Sequence, residues 1–237
     1  MKFFFGLLTA SIFIAFPLNG QAPDPNRILE GARLSAALVE LDGGLQGNLS
    51  HNGKKTPITI FLKGKNIQFQ FLEGETWRVF HLRLNKDKYD LFEIIDGKTI
   101  DFPPKKLTES IAGTDLTYED LALRFFYWPN PKLERQENIG IEATHKLRLE
   151  KPAGAAGNYF AVYVWVHQKF GAFMKIHGYS KGGELLKEFQ VEDVMKVSDK
   201  VWTLRKMQVA TYKGGRRSSL TDMTLDKPAA GTLKGLR

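Results

Sequence analysis

Between Ile58 and Ile95 apolar side chains recur at every second position, and short turn sequences interrupt them at even spacing. Ile58, Ile60 and Leu62 alternate with Thr59 and Phe61, and Ile67, Phe69 and Phe71 alternate with Gln68 and Gln70. Trp77–Leu84 and Tyr89–Ile95 repeat the pattern. Lys63-Gly64-Lys65-Asn66, Glu73-Gly74-Glu75, Asn85–Lys88 and Asp96-Gly97-Lys98 supply hairpin chemistry between them. A period of two predicts strands, and short turns between neighbouring strands predict an antiparallel meander. A second set follows over Thr144–Leu149, Tyr159–His167, Ala172–Ser180, Leu185–Val197, Val201–Tyr212 and Ser219–Asp226. Its turns are marked by Gly154, Gly171, Gly182-Gly183, Asp199-Lys200 and Gly214-Gly215. About ten strands are too many for a flat open sheet, which curls or splits near that number. The predicted fold is mainly β with two or more short helices: a strongly curved antiparallel sheet, or incomplete barrel, with a helical lid.

Two segments depart from the period of two. Over Arg27–Leu41, Ile28, Ala32, Leu34 or Ser35, Leu38 and Leu41 recur at three and four, which predicts an amphipathic helix. Asn26 is placed to cap it, and Gly43-Gly44 to end it. The region Leu107–Pro131 breaks the strand pattern. Thr117 and Asp120 stand at capping-box spacing, and Leu121, Phe125 and Trp128 share one helical face before Pro129.

Several strands are apolar on both faces. Phe160–Val166 carries no polar side chain except the Tyr163 hydroxyl. In a sheet with one wet face, alternate residues are polar. Helices sandwiching the sheet would give the same pattern, but two short helices are little cover for so many strands. A curved sheet around an apolar hollow explains the excess better. Phe69, Phe71, Val162 and Val164 are the expected wall of that hollow, and Leu121, Phe125 and Trp128 its plug.

The chain opens with Met1-Lys2, an apolar run from Phe3 to Phe16, and then Pro17 and polar residues. These are the regions of a secretory signal, and the run is shorter than the ~20 residues that span a bilayer. Residues 1–22 are read as a signal peptide, with Gly20 or Ala22 at the cut. Residues 23–237 are read as a single domain of roughly 215 residues, enough for a sizeable core. Cysteine is absent, which excludes disulfides, thiolate metal ligands, a cysteine nucleophile and a lipid-bearing Cys. The formal charge of +8 favours anionic partners, and export argues against nucleic acid among them.

No catalytic pattern stands out. The five histidines, His51, His81, His145, His167 and His177, show no ligand spacing, although His167 and His177 stand on consecutive strands across which they could meet. No metal and no cofactor are expected. Asp115, Glu119 and Asp120 form an acidic cluster that is read as helix capping and dipole complementarity, in place of a paired-carboxylate acid–base site. Ser218-Ser219 lacks a nucleophile elbow, and the glycine pairs lack the residues of a phosphate loop.

The segment Gly113-Thr114-Asp115-Leu116-Thr117-Tyr118-Glu119-Asp120-Leu121 resembles the signature of a LolA-like outer-membrane lipoprotein-sorting group. Met174–Tyr179, Gly183–Lys187, Val197–Trp202 and Ser219–Met223 follow in the order such proteins show. The resemblance implies a half-barrel whose mouth is lidded by helices and whose interior receives lipoprotein acyl chains. It implies a periplasmic carrier, not an enzyme, working as a monomer between an inner-membrane donor and an outer-membrane acceptor. It also implies an interior arginine that latches the lid, a role assigned to no residue of this sequence. The other reading is an envelope sensor that uses the same fold to recognise a lipidated partner.

Overall fold

A computed structural model describes residues 22–37, 44–84, 89–197 and 202–228. Residues 1–21 of the signal segment, Leu38–Gly43 and the turns expected at Asn85–Lys88 and Asp199-Lys200 lie outside these residues. Helix α1 (Pro25–Ala37) starts two residues before the expected helix. Its cap is Asp24 and not Asn26: the Asp24 carboxylate accepts the Asn26 N–H at 2.9 Å, and its carbonyl accepts the Ile28 N–H. Proline at the first helical position loses no intrahelical hydrogen bond. Leu29 and Ala32 are buried and Ile28 packs partly against the core.

The rest is one antiparallel sheet of thirteen strands. The first meander is β1 (Leu45–His51), β2 (Lys54–Lys63), β3 (Asn66–Glu73), β4 (Thr76–Leu84), β5 (Tyr89–Ile95) and β6 (Lys98–Asp101). The second is β7 (Lys132–Ile139), β8 (Glu142–Glu150), β9 (Ala161–His167), β10 (Phe173–Tyr179), β11 (Leu185–Lys196), β12 (Trp202–Lys213) and β13 (Arg216–Leu225). Pairing of β1 with β13 joins the meanders and leaves β6 and β7 as the two free edges. The strands β1, β6 and β7 were not predicted. Leu45-Gln-Gly-Asn-Leu-Ser-His51 has little β-branched content, β6 is four exposed residues, and β7 is mostly polar, as suits an edge.

The connection from β6 to β7 is therefore the segment that runs from one free edge to the other. It holds a 3-10 turn (Pro104–Thr108), helix α2 (Tyr118–Ala122) and a second 3-10 turn (Arg124–Tyr127). Two contacts show how far the sheet rolls around it. Tyr118 stacks edge-on against Phe80 of β4 at 5.2 Å between ring centroids, while Asp120 pairs with Lys187 of β11. These strands are six places apart in the sheet order, roughly 29 Å along a flat sheet. Two residues so close in sequence reach both because the sheet curls.

Strand β9 is buried on both faces, as expected from its composition. Val162, Val164 and Val166 face the core beside Leu149 and Leu147 of β8. On the other face Trp165 and Tyr163 are covered by the Lys146 ammonium, 4.7 and 4.8 Å from their rings, and by the Lys175 and Arg148 side chains. Long cationic side chains shield that face with their apolar stems; no second layer of helix is needed.

Candidate functional site

The segment that bridges the open edges begins with a tight loop. Ser110 and Thr117 form a β-bridge, the Ile111 N–H donates to the Leu116 carbonyl, and Thr114 Oγ1 donates to the Ile111 carbonyl at 2.8 Å. Ala112 and Gly113 both take positive φ here, +49° and +73°, which is why the signature opens on glycine. The capping box predicted at Thr117 and Asp120 is present in both directions. The Asp120 N–H donates to Thr117 Oγ1 at 3.3 Å and the Thr117 N–H donates to Asp120 Oδ2 at 2.8 Å.

The three acidic residues of the signature are buried, and they do more than cap. Asp115 is no cap at all: it sits in a nest of hydroxyls on the inner face of the sheet. Thr211 Oγ1 donates to it at 2.5 Å, Thr221 Oγ1 at 2.8 Å, and Ser219 donates to the same carboxylate; His51 Nδ1 lies 3.2 Å away. Burial alone would raise its pKa, but these donors outweigh it and hold the carboxyl below its usual range. Asp120 accepts the Tyr159 hydroxyl at 2.5 Å and the Lys187 ammonium at 2.7 Å. Lys187 also donates to the Asp115 carbonyl. Glu119 lies against the connection between β8 and β9, where its Oε2 accepts the Asn158 N–H at 2.8 Å. Burial, with the Asp120 charge beside it, pushes its pKa up to about 7 against the pull of that N–H. The segment is thus pinned to β1, β11, β12, β13 and the β8–β9 connection.

Beyond the pins the contacts become apolar. Leu123 has φ +46°, a left-handed conformation unusual for leucine, and it breaks the single helix expected between the Thr117 cap and Pro129 into α2 and the following 3-10 turn. Leu121, Phe125 and Trp128 are all buried, together with Phe126. Phe125 packs edge-on against Phe126, Trp128 and Tyr159. Phe126 meets Phe173 of β10. These lid side chains belong to the same buried core as the apolar side chains of the sheet's inner face.

The structure divides the expected wall into two groups. Phe69 and Phe71 lie at the Tyr118 end, in an aromatic cluster with Phe80 and Phe102. Val162 and Val164 lie on β9 in the same continuous core. Tyr118 bridges lid and wall; Gly113 and Thr114 shape the loop that presents Asp115. A groove of about 300 Å³ runs beside the lid, lined by Tyr89, Arg124, Tyr127, Trp128, Pro152 and Ala155.

Sequence reasoning missed Arg33, Tyr159 and Lys187. Arg33 of α1 donates from Nε to the Phe126 carbonyl at 2.7 Å and lies 5.0 Å from the Tyr127 ring. It ties α1 to the apolar half of the lid. A lone lysine at an inward-facing strand position was the readable signal for Lys187. His167 and His177 do not meet: His167 bonds Glu142 at 2.8 Å, and His177 bonds Glu188 at 2.6 Å and packs on Trp165. Among the described residues no three His, Asp or Glu side chains gather as metal ligands.

A protein-family model described as "Uncharacterized protein"-like matches residues 85–229, more than half of the chain. The chain belongs to that family, and its fold is LolA-like. Three solved structures carry the second statement. A putative outer membrane lipoprotein-sorting protein domain from Vibrio parahaemolyticus is 14% identical, with a TM-score of 0.64 over 85% of this chain and 91% of that one. A DUF1329 family protein from Desulfovibrio piger is 17% identical, with a TM-score of 0.63 over 86% and 92%. The LolA superfamily protein NE2245 from Nitrosomonas europaea is 19% identical, with a TM-score of 0.60 over 86% and 92%. No curated protein matches the sequence. In this LolA-like fold the signature segment is the lid, and its acidic residues are the pins that hold it to the half-barrel.

Proposed function

We propose that this protein is an exported carrier that takes acyl chains of lipoproteins, or other lipids, into its half-barrel and moves them towards the outer membrane. The observation that supports this most is the division of the lid at Leu123. Its first half is held by buried polar pins at Asp115, Glu119 and Asp120. Its second half is held by apolar packing of Phe125, Phe126 and Trp128 and by the Arg33 contact.

An acyl chain competes with the second half on equal terms. Burying a large apolar side chain contributes roughly 1.5–3 kcal/mol, so a chain of comparable area replaces the aromatic plug at little net cost. The pins have no such substitute and stay in place. In this reading Phe125, Phe126 and Trp128 swing about Leu123, and Leu121, Phe69, Phe71, Val162 and Val164 line the space they leave. Residues 1–22 direct export, and residues 23–237 act as a monomeric periplasmic domain that receives cargo from an inner-membrane donor and passes it to an outer-membrane acceptor.

The test is a titration of the purified protein with a fluorescent fatty acid, alongside native mass spectrometry of the same protein. Saturable binding, competed by unlabelled fatty acid and altered by Phe125→Ala, is expected. An empty protein that takes up no fatty acid in either measurement would end the carrier reading.

A further inference from the structure

Three of the most exposed large apolar side chains of the described structure stand on one end of the sheet. Ile141 is 93% exposed in the β7–β8 turn, Phe170 is 65% exposed in the β9–β10 turn, and Trp202 is 57% exposed where β12 begins. Consecutive antiparallel hairpins place these turns on the same rim: β7–β8, β9–β10 and β11–β12 all reverse there. The tips are also level. From the paired residues Lys175 and Gln190, Phe170 lies five residues out along one strand, and Lys196, the partner of Trp202, lies six along the next.

Neighbouring hairpin tips stand roughly 10 Å apart, two strand spacings. Single apolar side chains separated in this way do not form the contiguous patch that a protein groove would cover. They suit a plane that all of them can enter together. Cations accompany them. Lys169 carries its ammonium 5.3 Å from the Phe170 ring, and Lys63 and Lys65 flank the β2–β3 turn on the same rim. Glu142, Glu192, Asp193 and Asp226 are there too, with Asp193 tied to Arg205, and Lys196, Arg205 and Lys227 stand beside them. The net charge of +8 draws the whole molecule towards an anionic surface.

The rim also adjoins the lid. Gly171, next to Phe170, approaches the backbone of Gly31 in α1: a Cβ there would lie 3.7 Å from Gly31 atoms. Two residues further on, Phe173 packs on Phe126, whose carbonyl Arg33 holds.

We propose that this rim seats the protein on an anionic phospholipid bilayer, with Phe170, Ile141 and Trp202 entering the headgroup layer and Lys169 meeting the phosphates. The rim is separate from the acyl-binding reading above and stands or falls independently of it.

The test is co-sedimentation of the purified protein with vesicles of phosphatidylcholine and phosphatidylglycerol in equal parts, and with pure phosphatidylcholine. Binding to the anionic vesicles is expected, with a blue shift of tryptophan fluorescence that Trp202→Phe removes. Phe170→Asp with Ile141→Asp is expected to weaken partitioning by about tenfold or more while leaving the melting temperature and fatty-acid binding unchanged. Should the double variant unfold, Lys169→Glu alone is expected to lower partitioning to the anionic vesicles. Native protein that stays in the supernatant would overturn the proposal. So would loss of binding on changing Trp77 or Arg216 and Arg217, at the opposite end, with the Phe170 and Ile141 changes silent. Failure of fatty-acid binding with vesicle binding intact would count against the carrier reading alone.

Discussion

The Lys187 ammonium on β11 lies 2.7 Å from Asp120 Oδ2 in the lid helix, and both side chains are buried. Tyr159 supplies a hydroxyl to the other Asp120 oxygen, so the carboxylate has a donor on each side. Removing one charge of such a pair leaves the other buried without compensation, which costs about 3–5 kcal/mol. Lys187→Met is therefore expected to destabilise the protein by that amount in urea unfolding. Lys187→Met combined with Asp120→Asn, which buries no charge, is expected to be closer to the native protein than the single variant.

Glu119 gives the lid a pH dependence of defined sign. Its folded pKa, about 7, lies above the ordinary 4.5 because it is buried. Stability from this group is fully present below about pH 4.5 and is lost as pH rises through 7. The lowered pKa values of His81, His145 and His177 act in the opposite sense over part of that window, so the informative quantity is a difference. Unfolding free energies of native protein and Glu119→Gln, measured from pH 4 to 8, are expected to diverge as pH rises, with the variant gaining up to about 3 kcal/mol relative to native.

Two glycines hold room for lid contacts. A Cβ on Gly157 would lie 1.9 Å from Glu119 Oε1, and the residue has φ +118°. A Cβ on Gly178 would lie 2.4 Å from the Tyr159 ring. Alanine at either position is expected to destabilise by about 1–3 kcal/mol in thermal or urea unfolding, with Gly157→Ala also altering the Glu119 pH dependence and Gly178→Ala leaving it alone. Alanine at Gly140, a left-handed turn position with no neighbour in reach, should show only the smaller backbone cost of about 1 kcal/mol.

Phe125→Ala empties the centre of the lid. The side chain is almost wholly buried, and truncating such a phenylalanine costs about 3–5 kcal/mol. If the vacated space accepts acyl chains, a fatty acid should restore part of this loss, raising the melting temperature of the variant more than that of the native protein. Calorimetry with and without oleate measures the difference. An equal shift in both proteins would place the ligand elsewhere.

The period of two over Ile58–Ile95 and Thr144–Asp226 determined the antiparallel meanders, because alternation of side chains between faces is a property of each strand alone. The apolar run Phe160–Val166 likewise determined that β9 would be covered on both faces. Thr117 and Asp120 determined the start of α2 through a capping box that closes within four residues. The nonapeptide that carried the family resemblance also lay open to reading.

What sequence could not supply was everything that needs two distant segments at once. Asp115 reads as a capping residue until Thr211, Ser219 and Thr221, roughly a hundred positions later, are brought around it. Leu123 has nothing local to mark a left-handed break; packing of Phe125 and Phe126 on one side and the pinned helix on the other imposes it. Arg33 becomes a lid contact only when α1 lies across β8 and β9. Local periodicity and capping are short-range and survive in any window of the chain. Curvature, the pairing of β1 with β13 and the pinning of the lid between two free edges arise from contacts between remote residues, and only the folded sheet decides them.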